Sequence, residues 1–210
     1  YALTASDQAI KDADLSLGEI EKTRIGVSIG SGIGGLGSIE DNALILRDKG
    51  PRKISPFFVP GAVINMASGN VAIKYNLQGP NISIVSACSS AGHSIGYSAR
   101  TISYGDADIM ITGGAEAGIT PLGLAGFNAA KALSTNNENP ESASCPWDKK
   151  RDGFLLGEGA GILILEELES AKSRKAKIYG EVVGFGQSDD AYHITAPAED
   201  GRGAYNAMIN

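Results

Sequence analysis

Residues 83–96 read SIVSACSSAGHSIG, and the fold is decided where the apolar run before Cys88 gives way to small residues. A strand that includes Ile84 is predicted to end at Ala87, and a helix is predicted over residues 89–104. In an open parallel sheet, ligands bind at the carboxyl ends of the strands. The pattern therefore predicts that Cys88 lies at the edge of a sheet where a substrate can reach it.

Strands and helices alternate on both sides of this stretch. Helices are predicted at ALTASDQAIKDA and GSIEDNALILRDKG, and strands at RIGVSIG, DIMITGGAE, GAGILILEEL and KIYGEVVGFG, with a loop-rich stretch over residues 118–153. Such alternation predicts an α/β fold with a mostly parallel sheet and helices on its faces. The sequence starts at Tyr1 and stops inside an unfinished helix, so we expect a piece of a longer protein.

The composition argues against several classes of protein. The chain has 210 residues with 24 acidic and 18 basic side chains, and its net charge of −6 leaves no basic surplus for binding nucleic acid. No apolar run approaches the ~20 residues that span a bilayer, and no leader is recognisable. Two cysteines and two histidines make neither a disulfide framework nor a spaced zinc motif. We expect a soluble, cytoplasmic protein without a metal site.

The residues alone leave two interpretations of Cys88 open. At a helix N-terminus, unpaired N–H groups and the helix dipole favour the reactive thiolate, and the same groups can receive negative charge from a carbonyl oxygen. That geometry suits acyl transfer. A free cysteine is also often a buried packing residue. The small residues from Ser89 to Gly92 predict that something approaches the helix closely.

The other cysteine and the histidines give weaker signals. Cys145 precedes a proline in a loop and is interpreted as structural. His93 lies about 140° round the helix from Cys88, so we predict that it points away from the thiol and packs. His193 lies in a loop, where a substrate-facing role and a plain loop role are both open. No general base is evident.

Residues 30–35, GSGIGG, fit the G-x-G-x-x-G pattern of dinucleotide-binding proteins after a predicted strand. That motif also needs an acidic residue at the end of a second strand about 20 residues later. This chain reads GPRKISPFF there. We therefore reject a nucleotide site and expect these glycines to let the backbone pack close to the sheet or to a bound chain.

Six stretches resemble a known family: GSGIGGLGSIEDN, KISPFFVPGAVINMASG, VSACSSAGHSIG, YGDADIMITGGAEA, KALSTNNENPESASCPWDKKRDGFLLGEGAGILILEELESAK and AKIYGEVVGFGQSDDAYHITAP. In order and over nearly the whole chain, they are similar to β-ketoacyl-[acyl-carrier-protein] synthases of type II. The resemblance implies a thiolase-like fold, layered α/β/α/β/α with mixed, mainly parallel sheets, and a homodimer. It assigns residues 1–210 to the N-terminal half and the beginning of the C-terminal half.

The resemblance also implies roles for individual residues. Cys88 matches the nucleophile that carries the acyl chain as a thioester, and its backbone N–H matches one oxyanion-hole donor. The acyl pocket falls on apolar or small residues, with Phe58 coming from the dimer partner: Ile33, Phe58, Ala87, Gly123 and Phe127. Carrier-protein docking falls on a basic patch: Arg52, Lys53 and Lys131. The pantetheine tunnel falls on His193 and Thr195. No cofactor is implied, because the acyl carrier protein brings its own 4'-phosphopantetheine.

The implied reaction is a decarboxylative condensation of acyl and malonyl thioesters in fatty acid elongation. The family's two catalytic histidines, in H-G-T and G-H motifs, its lysine and its G-F-G-G-T-N loop are absent from the 210 residues, so this chain by itself is not expected to complete a condensation. A polyketide ketosynthase, a non-catalytic fragment and a partner resembling chain-length factors remain as alternatives. The phrase DAYHITAP favours fatty acid elongation, and the retained Cys88 argues against a chain-length factor.

Overall fold

The computed structural model describes residues 1–210. The segment IGVSIG, in which large and small residues alternate, forms an inner strand of its sheet. This strand, β1 (Ile25–Gly30), is buried along its whole length. Its large side chains, Ile25, Val27 and Ile29, belong to the main hydrophobic core. Its small residues lie on the opposite face, because successive side chains of a strand point to opposite sides of the sheet.

The sheet of the first unit has four strands in the order β2-β1-β3-β4. β2 (Asn81–Ile82) and β3 (Ile109–Ala117) run parallel to β1, and β4 (Glu158–Glu166) runs antiparallel to β3. In the register of β1 and β3, Ile25 lies opposite Ile109. The prediction of an α/β fold with a mixed, mainly parallel sheet is therefore confirmed.

Helices cover both faces of this sheet in the unit Tyr1–Ala176. In chain order they are α1 (Ala2–Asp12), α2 (Leu36–Lys49), α3 (Phe58–Ala62), α4 (Met66–Tyr75), α5 (Ser90–Ser103), α6 (Pro121–Ala129) and α7 (Leu168–Ser173). Ile10 of α1 and Val71 of α4 pack into the core with the large residues of β1. None of the helices has the length and apolarity that crossing a membrane requires.

α5 packs across the other face of the sheet, where β1 and β3 carry small residues. A Cβ atom on Gly30 would lie 2.5 Å from the carbonyl oxygen of Ser90, and one on Gly114 would lie 2.6 Å from the Cβ of Ala91. The sheet itself is therefore what approaches this helix closely. Any larger side chain along the seam would push the helix away from the strands.

The stretch 118–153, predicted to be loop-rich, contains one α-helix, α6, which begins after Thr120 with Pro121 in its first turn. One prediction for the later part of the chain is wrong. KIYGEVVGFG forms no strand, because a strand needs hydrogen bonds from a second strand and the unit Lys177–Asn210 contains none. The second unit, Lys177–Asn210, instead contains one helix, α8 (Arg202–Ile209).

Candidate active site

Cys88 is exposed on a tight turn between the segment that follows β2 and helix α5. Ala87, the residue before it, has a φ of +51°. This left-handed conformation costs a residue with a Cβ roughly 1 kcal/mol, so the surrounding structure must hold it in place. Within residues 1–210 the thiol of Cys88 is exposed, which favours the interpretation of a reactive residue over that of a packing residue.

Hydrogen bonds within the turn hold Ala87 in this conformation. The hydroxyl of Ser90 accepts from the N–H of Ser86 at 2.9 Å and donates to the carbonyl of Ala87 at 2.7 Å. The N–H groups of Ser89 and Ser90 donate to the carbonyls of Ser86 and Ala87, both at 3.1 Å. These two N–H groups are therefore engaged in the turn, and the assignment of the Cys88 N–H to the oxyanion hole stays a prediction.

His93 is used to brace this turn. Its Nδ1 lies 2.5 Å from the hydroxyl oxygen of Ser86, seven residues earlier in the chain. The contact ties the first turns of α5 to the segment leading into Cys88. This agrees with the prediction of a packing role for His93.

A buried hydroxyl holds the segment that leads to the turn. The prediction of a strand that ends at Ala87 is wrong in its extent: β2 ends at Ile82, because only Asn81 and Ile82 pair with β1. The Ser68 hydroxyl of α4 accepts from the N–H of Ile29 at 2.9 Å and donates to the carbonyl of Ile82 at 3.0 Å. One side chain therefore connects β1 to the start of the segment that presents Cys88.

The loop GSGIGG wraps around a carboxylate of the chain itself. Oε2 of Glu116, near the end of β3, accepts from the N–H groups of Gly32 at 2.7 Å and Ile33 at 3.1 Å. Oε1 accepts from the hydroxyl of Ser31 at 2.8 Å and the N–H of Gly34 at 3.3 Å. Successive N–H groups of this kind form an anion-binding nest. Glu116 fills the nest, which agrees with the rejection of a nucleotide site.

The loop that forms this nest carries Ile33 and lies against Ala87, and both are predicted pocket residues. A Cβ on Gly32 would lie 3.2 Å from the carbonyl oxygen of Ala87, so the loop rests against the Cys88 turn. Ile33 follows Gly32 directly, and its Cδ1 would lie 3.4 Å from a Cβ on Gly118. The structure therefore places Ile33 between the Cys88 turn and the segment entering α6.

Two further predicted pocket residues lie on α6. Gly123 is buried, and a Cβ on it would lie 2.3 Å from the carbonyl oxygen of Gly118. Phe127 lies one turn further along the same face, with its ring edge-on to Phe154 at 5.3 Å between centroids. Phe58, the fifth, is partly buried at the start of α3, and a contribution from a partner chain stays a prediction.

A cavity of about 310 Å³ lies behind the nest. It is lined by Ser31, Gly34 and Glu116 on one side and by residues of α3 and α4, such as Pro60 and Met66, on the other. Neither Cys88 nor any predicted pocket residue lines it. This cavity is therefore distinct from the predicted acyl pocket.

The comparison with known proteins matches this arrangement to one family. A family model described as "Beta-ketoacyl synthase, N-terminal domain" matches residues 1–171, which include the nest, the Cys88 turn and α6.

The chain belongs to the β-ketoacyl synthase family.

Proteins similar to this β-ketoacyl synthase chain extend well beyond its length. The 3-oxoacyl-[acyl-carrier-protein] synthase 2 of Vibrio cholerae is 60% identical over 208 residues, which are 99% of this chain and 50% of that protein. The protein of the same description from Coxiella burnetii is 57% identical, over 100% of this chain and 51% of its own length. The chain thus spans about half the length of the curated relatives it matches.

Solved structures of ketosynthases share the fold. A β-ketoacyl synthase from Burkholderia phymatum has a TM-score of 0.88 and 34% identity, covering 100% of this chain and 52% of its own. A type II PKS acyl-carrier protein complex with its ketosynthase has a TM-score of 0.90 and 35% identity, covering 100% of this chain and 55% of that chain. The thiolase-like ketosynthase fold implied by the sequence resemblance is therefore confirmed for the half that the chain covers.

The three basic residues of the predicted docking patch are exposed in this β-ketoacyl synthase chain. Arg52 and Lys53 lie in a short 3-10 turn after α2, and Lys131 follows α6. None of the three forms a salt bridge with a carboxylate. Their charges are therefore available to an acidic partner.

The predicted tunnel residues belong to the second unit, Lys177–Asn210. The Nδ1 of His193 accepts from the N–H of Thr195 at 3.2 Å and from the N–H of Ala196 at 3.1 Å. His193 therefore shapes its own loop while its side chain stays exposed.

Cys145 lies in the first unit and is half-buried, with its Sγ 3.7 Å from the carbonyl oxygen of Ala143, as expected of a structural residue. No cluster of acidic, histidine and cysteine side chains is suited to a metal ion.

The sequence analysis did not identify the residues that hold the loop and the turn of this β-ketoacyl synthase site in place. Glu116 was part of a predicted strand, and the one sign of its role is that it is the only acidic residue in the run IMITGGAEA. Ser68 gives no such signal, because a serine in a helix is ordinarily solvated. Ser90 was recognised only as small, although its hydroxyl shapes the turn.

Proposed function

We propose that the whole protein is a β-ketoacyl-[acyl-carrier-protein] synthase of type II. It would condense acyl-[acyl-carrier-protein] with malonyl-[acyl-carrier-protein], release carbon dioxide and give a 3-oxoacyl-[acyl-carrier-protein] two carbons longer. The observation that carries this proposal is the exposed thiol of Cys88 on a strained turn at the carboxyl edge of the sheet. The 60% identity to the Vibrio cholerae synthase 2 supports the reaction type.

In the first stage, the thiolate of Cys88 attacks the thioester carbonyl of the acyl group. The bond from the carbonyl carbon to the pantetheine sulfur breaks, and the carrier-protein thiol leaves with a proton. The acyl chain is then held on Cys88 as a thioester. Nucleophilic catalysis of this kind divides one difficult exchange into two easier steps.

In the second stage, malonyl-[acyl-carrier-protein] loses carbon dioxide, and the electron pair of the broken C–C bond becomes a carbanion beside its thioester. The carbanion attacks the carbonyl carbon of acyl-Cys88, and the Cys88 thiolate leaves. The residues that the resemblance assigns to decarboxylation are absent from residues 1–210. Within this chain, Cys88 and the turn that presents it would provide the nucleophile.

The acyl tail would lie against apolar and small surfaces next to Cys88. Ile33 follows Gly32, the residue that lies against Ala87, and Gly123 and Phe127 share one face of α6. An apolar lining with few polar groups is what an alkyl chain requires. In the proposed homodimer, Phe58 of the second copy completes this pocket.

The acyl carrier protein would dock on the patch of Arg52, Lys53 and Lys131. Because the chain carries a net charge of −6, attraction of an acidic partner must come from a local group of cations.

The exposed aromatic ring of Phe57, which is 76% accessible, and Val59, which is 61% accessible, support a second copy near α3. The proposal includes a cytoplasmic or organellar location, where carrier-protein thioesters are made.

A polyketide ketosynthase is the second candidate. The solved complex with a type II PKS acyl-carrier protein has a TM-score of 0.90, but its ketosynthase is only 35% identical to this chain. The relatives described as 3-oxoacyl-[acyl-carrier-protein] synthase 2 are more similar, at 60% and 57% identity. The identities therefore favour fatty acid elongation.

The test is acylation of the full-length protein by radiolabelled acyl-[acyl-carrier-protein], followed by peptide mapping. We expect the label on Cys88, loss of labelling in Cys88→Ala, and full labelling in the matched variant Cys145→Ser. Label at another residue, or undiminished labelling of Cys88→Ala, would overturn the assignment. Unlabelled malonyl-[acyl-carrier-protein] added next should release a 3-oxoacyl product two carbons longer, and repeated extension without reduction would indicate the polyketide alternative.

A further inference from the structure

Glu116 carries four hydrogen bonds from one short loop. Oε2 accepts from the N–H groups of Gly32 and Ile33 at 2.7 and 3.1 Å, and Oε1 accepts from the Ser31 hydroxyl and the Gly34 N–H at 2.8 and 3.3 Å. A carboxylate has about four lone-pair sites, so its acceptor capacity is fully used. No Lys or Arg forms a salt bridge with it. Its charge is therefore held by the loop alone.

The loop transmits the position of Glu116 to the Cys88 turn. A Cβ on Gly32 would lie 3.0 Å from Oε2 of Glu116 and 3.2 Å from the carbonyl oxygen of Ala87. Gly32 therefore lies close to both the Glu116 carboxylate and Ala87, the residue that precedes Cys88. A shift of this loop would remove the surface against which the strained Ala87 rests.

The same loop carries one wall of the proposed acyl pocket. The N–H of Ile33 is fixed by Glu116, and the end of its side chain reaches Gly118, next to α6. The placement of the Ile33 side chain therefore depends on how the carboxylate holds its backbone. Glu116 also lines the separate cavity, which Cys88 does not line.

We propose that Glu116 is a positioning residue that sets acyl chain-length preference by fixing Ile33. The inference rests on the proposed function, because it needs an acyl chain beside Cys88. A glutamine at position 116 would keep the size but replace one acceptor oxygen by an NH₂ donor facing two of the loop's donors. An aspartate would keep the charge and withdraw it by one methylene.

The test uses the full-length enzyme and acyl-[acyl-carrier-protein] substrates of 6 to 16 carbons. We expect Glu116→Gln to change the ratio of kcat/KM for long and short chains by about tenfold, the effect of roughly one methylene in an apolar pocket. Glu116→Asp should change the ratio less. The matched control Glu169→Gln alters an exposed carboxylate whose side chain contacts Lys172, and it should leave the ratio unchanged.

Three outcomes separate the explanations. An unaltered chain-length ratio in Glu116→Gln, with the wild-type enzyme active, overturns the positioning role. A uniform loss of rate at every chain length, together with a lower unfolding midpoint in both Glu116 variants, also overturns it by showing a purely structural role. A wild-type protein that neither accepts acyl groups nor condenses them overturns the proposed function instead.

Discussion

The seam between β1 and α5 allows a sharp test of how Cys88 is presented. A Cβ on Gly30 would lie 2.5 Å from the carbonyl oxygen of Ser90, 2.7 Å from its carbonyl carbon and 2.9 Å from the Oγ of Ser94. Two of these atoms are backbone, so no side-chain rotation can relieve the overlap. Gly30→Ala must therefore move the start of α5 away from the sheet.

The cost follows from overpacking. Inserting a methyl group into a closely packed interior typically destabilises a protein by about 1–3 kcal/mol. A matched control lies in α5 itself, because a Cβ on Gly92 would meet nothing within 4 Å. Gly92→Ala should raise the free energy of unfolding by about 0.5–1 kcal/mol, since alanine restricts the unfolded chain and favours helix.

Two measurements on the full-length protein check this prediction. Urea unfolding should show Gly30→Ala less stable and Gly92→Ala more stable than the wild type. The rate of Cys88 alkylation by iodoacetamide, followed by peptide mass spectrometry, should change in Gly30→Ala and stay the same in Gly92→Ala. Wild-type stability and an unchanged alkylation rate in Gly30→Ala would refute the close packing of α5 on β1.

Two further predictions concern the proposed pocket and the ends of the strands. Ile33→Trp should shorten the acyl chains accepted by the full-length enzyme, because the larger ring fills space beside Cys88; an unchanged chain-length profile would remove Ile33 from the pocket. Arg24 donates two hydrogen bonds to Asp108, at 3.0 and 2.6 Å, and so lowers the pKa of that carboxyl below its usual value. A lowered carboxyl pKa contributes stability above the unfolded-state pKa of about 3.9 that is lost as the pH falls through the folded-state value. Because the Asp108 side chain is 47% exposed, Asp108→Asn should lower the free energy of unfolding by only about 0.5–1 kcal/mol at pH 7, measured by urea unfolding. The difference in free energy of unfolding from the wild type should shrink below about pH 4. A difference that persists below that pH would exclude charge as the cause.

Local pattern was enough to predict the central sheet. IGVSIG alternates large and small residues with the period of a strand, DIMITGGAE begins with a short continuous apolar run, and both are strands in the structure. It failed at KIYGEVVGFG, which has the same apolar character but no neighbouring strand. It also failed at α6, whose glycine-rich sequence disfavours a helix. There, the hydroxyl of Thr120 caps the helix, and Glu40 of α2 accepts from the N–H of Leu122 at 3.2 Å.

The candidate site divides in the same way. The position of Cys88 at the start of α5 followed from the sequence, although the strand before it ends at Ile82 and not at Ala87. The occupant of the GSGIGG nest did not, because Glu116 lies more than 80 residues away from that loop in sequence. The N–H groups of Ser89 and Ser90 donate hydrogen bonds within the turn that the positive φ of Ala87 creates, and no residue pattern revealed that φ.

The sequence by itself determined the strand and helix periods, the small-residue seam and the cysteine at the junction, since these depend on neighbours a few positions apart. Only the tertiary structure decided which carboxylate fills the nest, how Ser68 holds β1 to the Cys88 segment, and which apolar stretch lacks a partner strand. Those contacts join residues distant in the chain, and their energies depend on distances of a few ångströms that exist only after the sheet and its helices have packed.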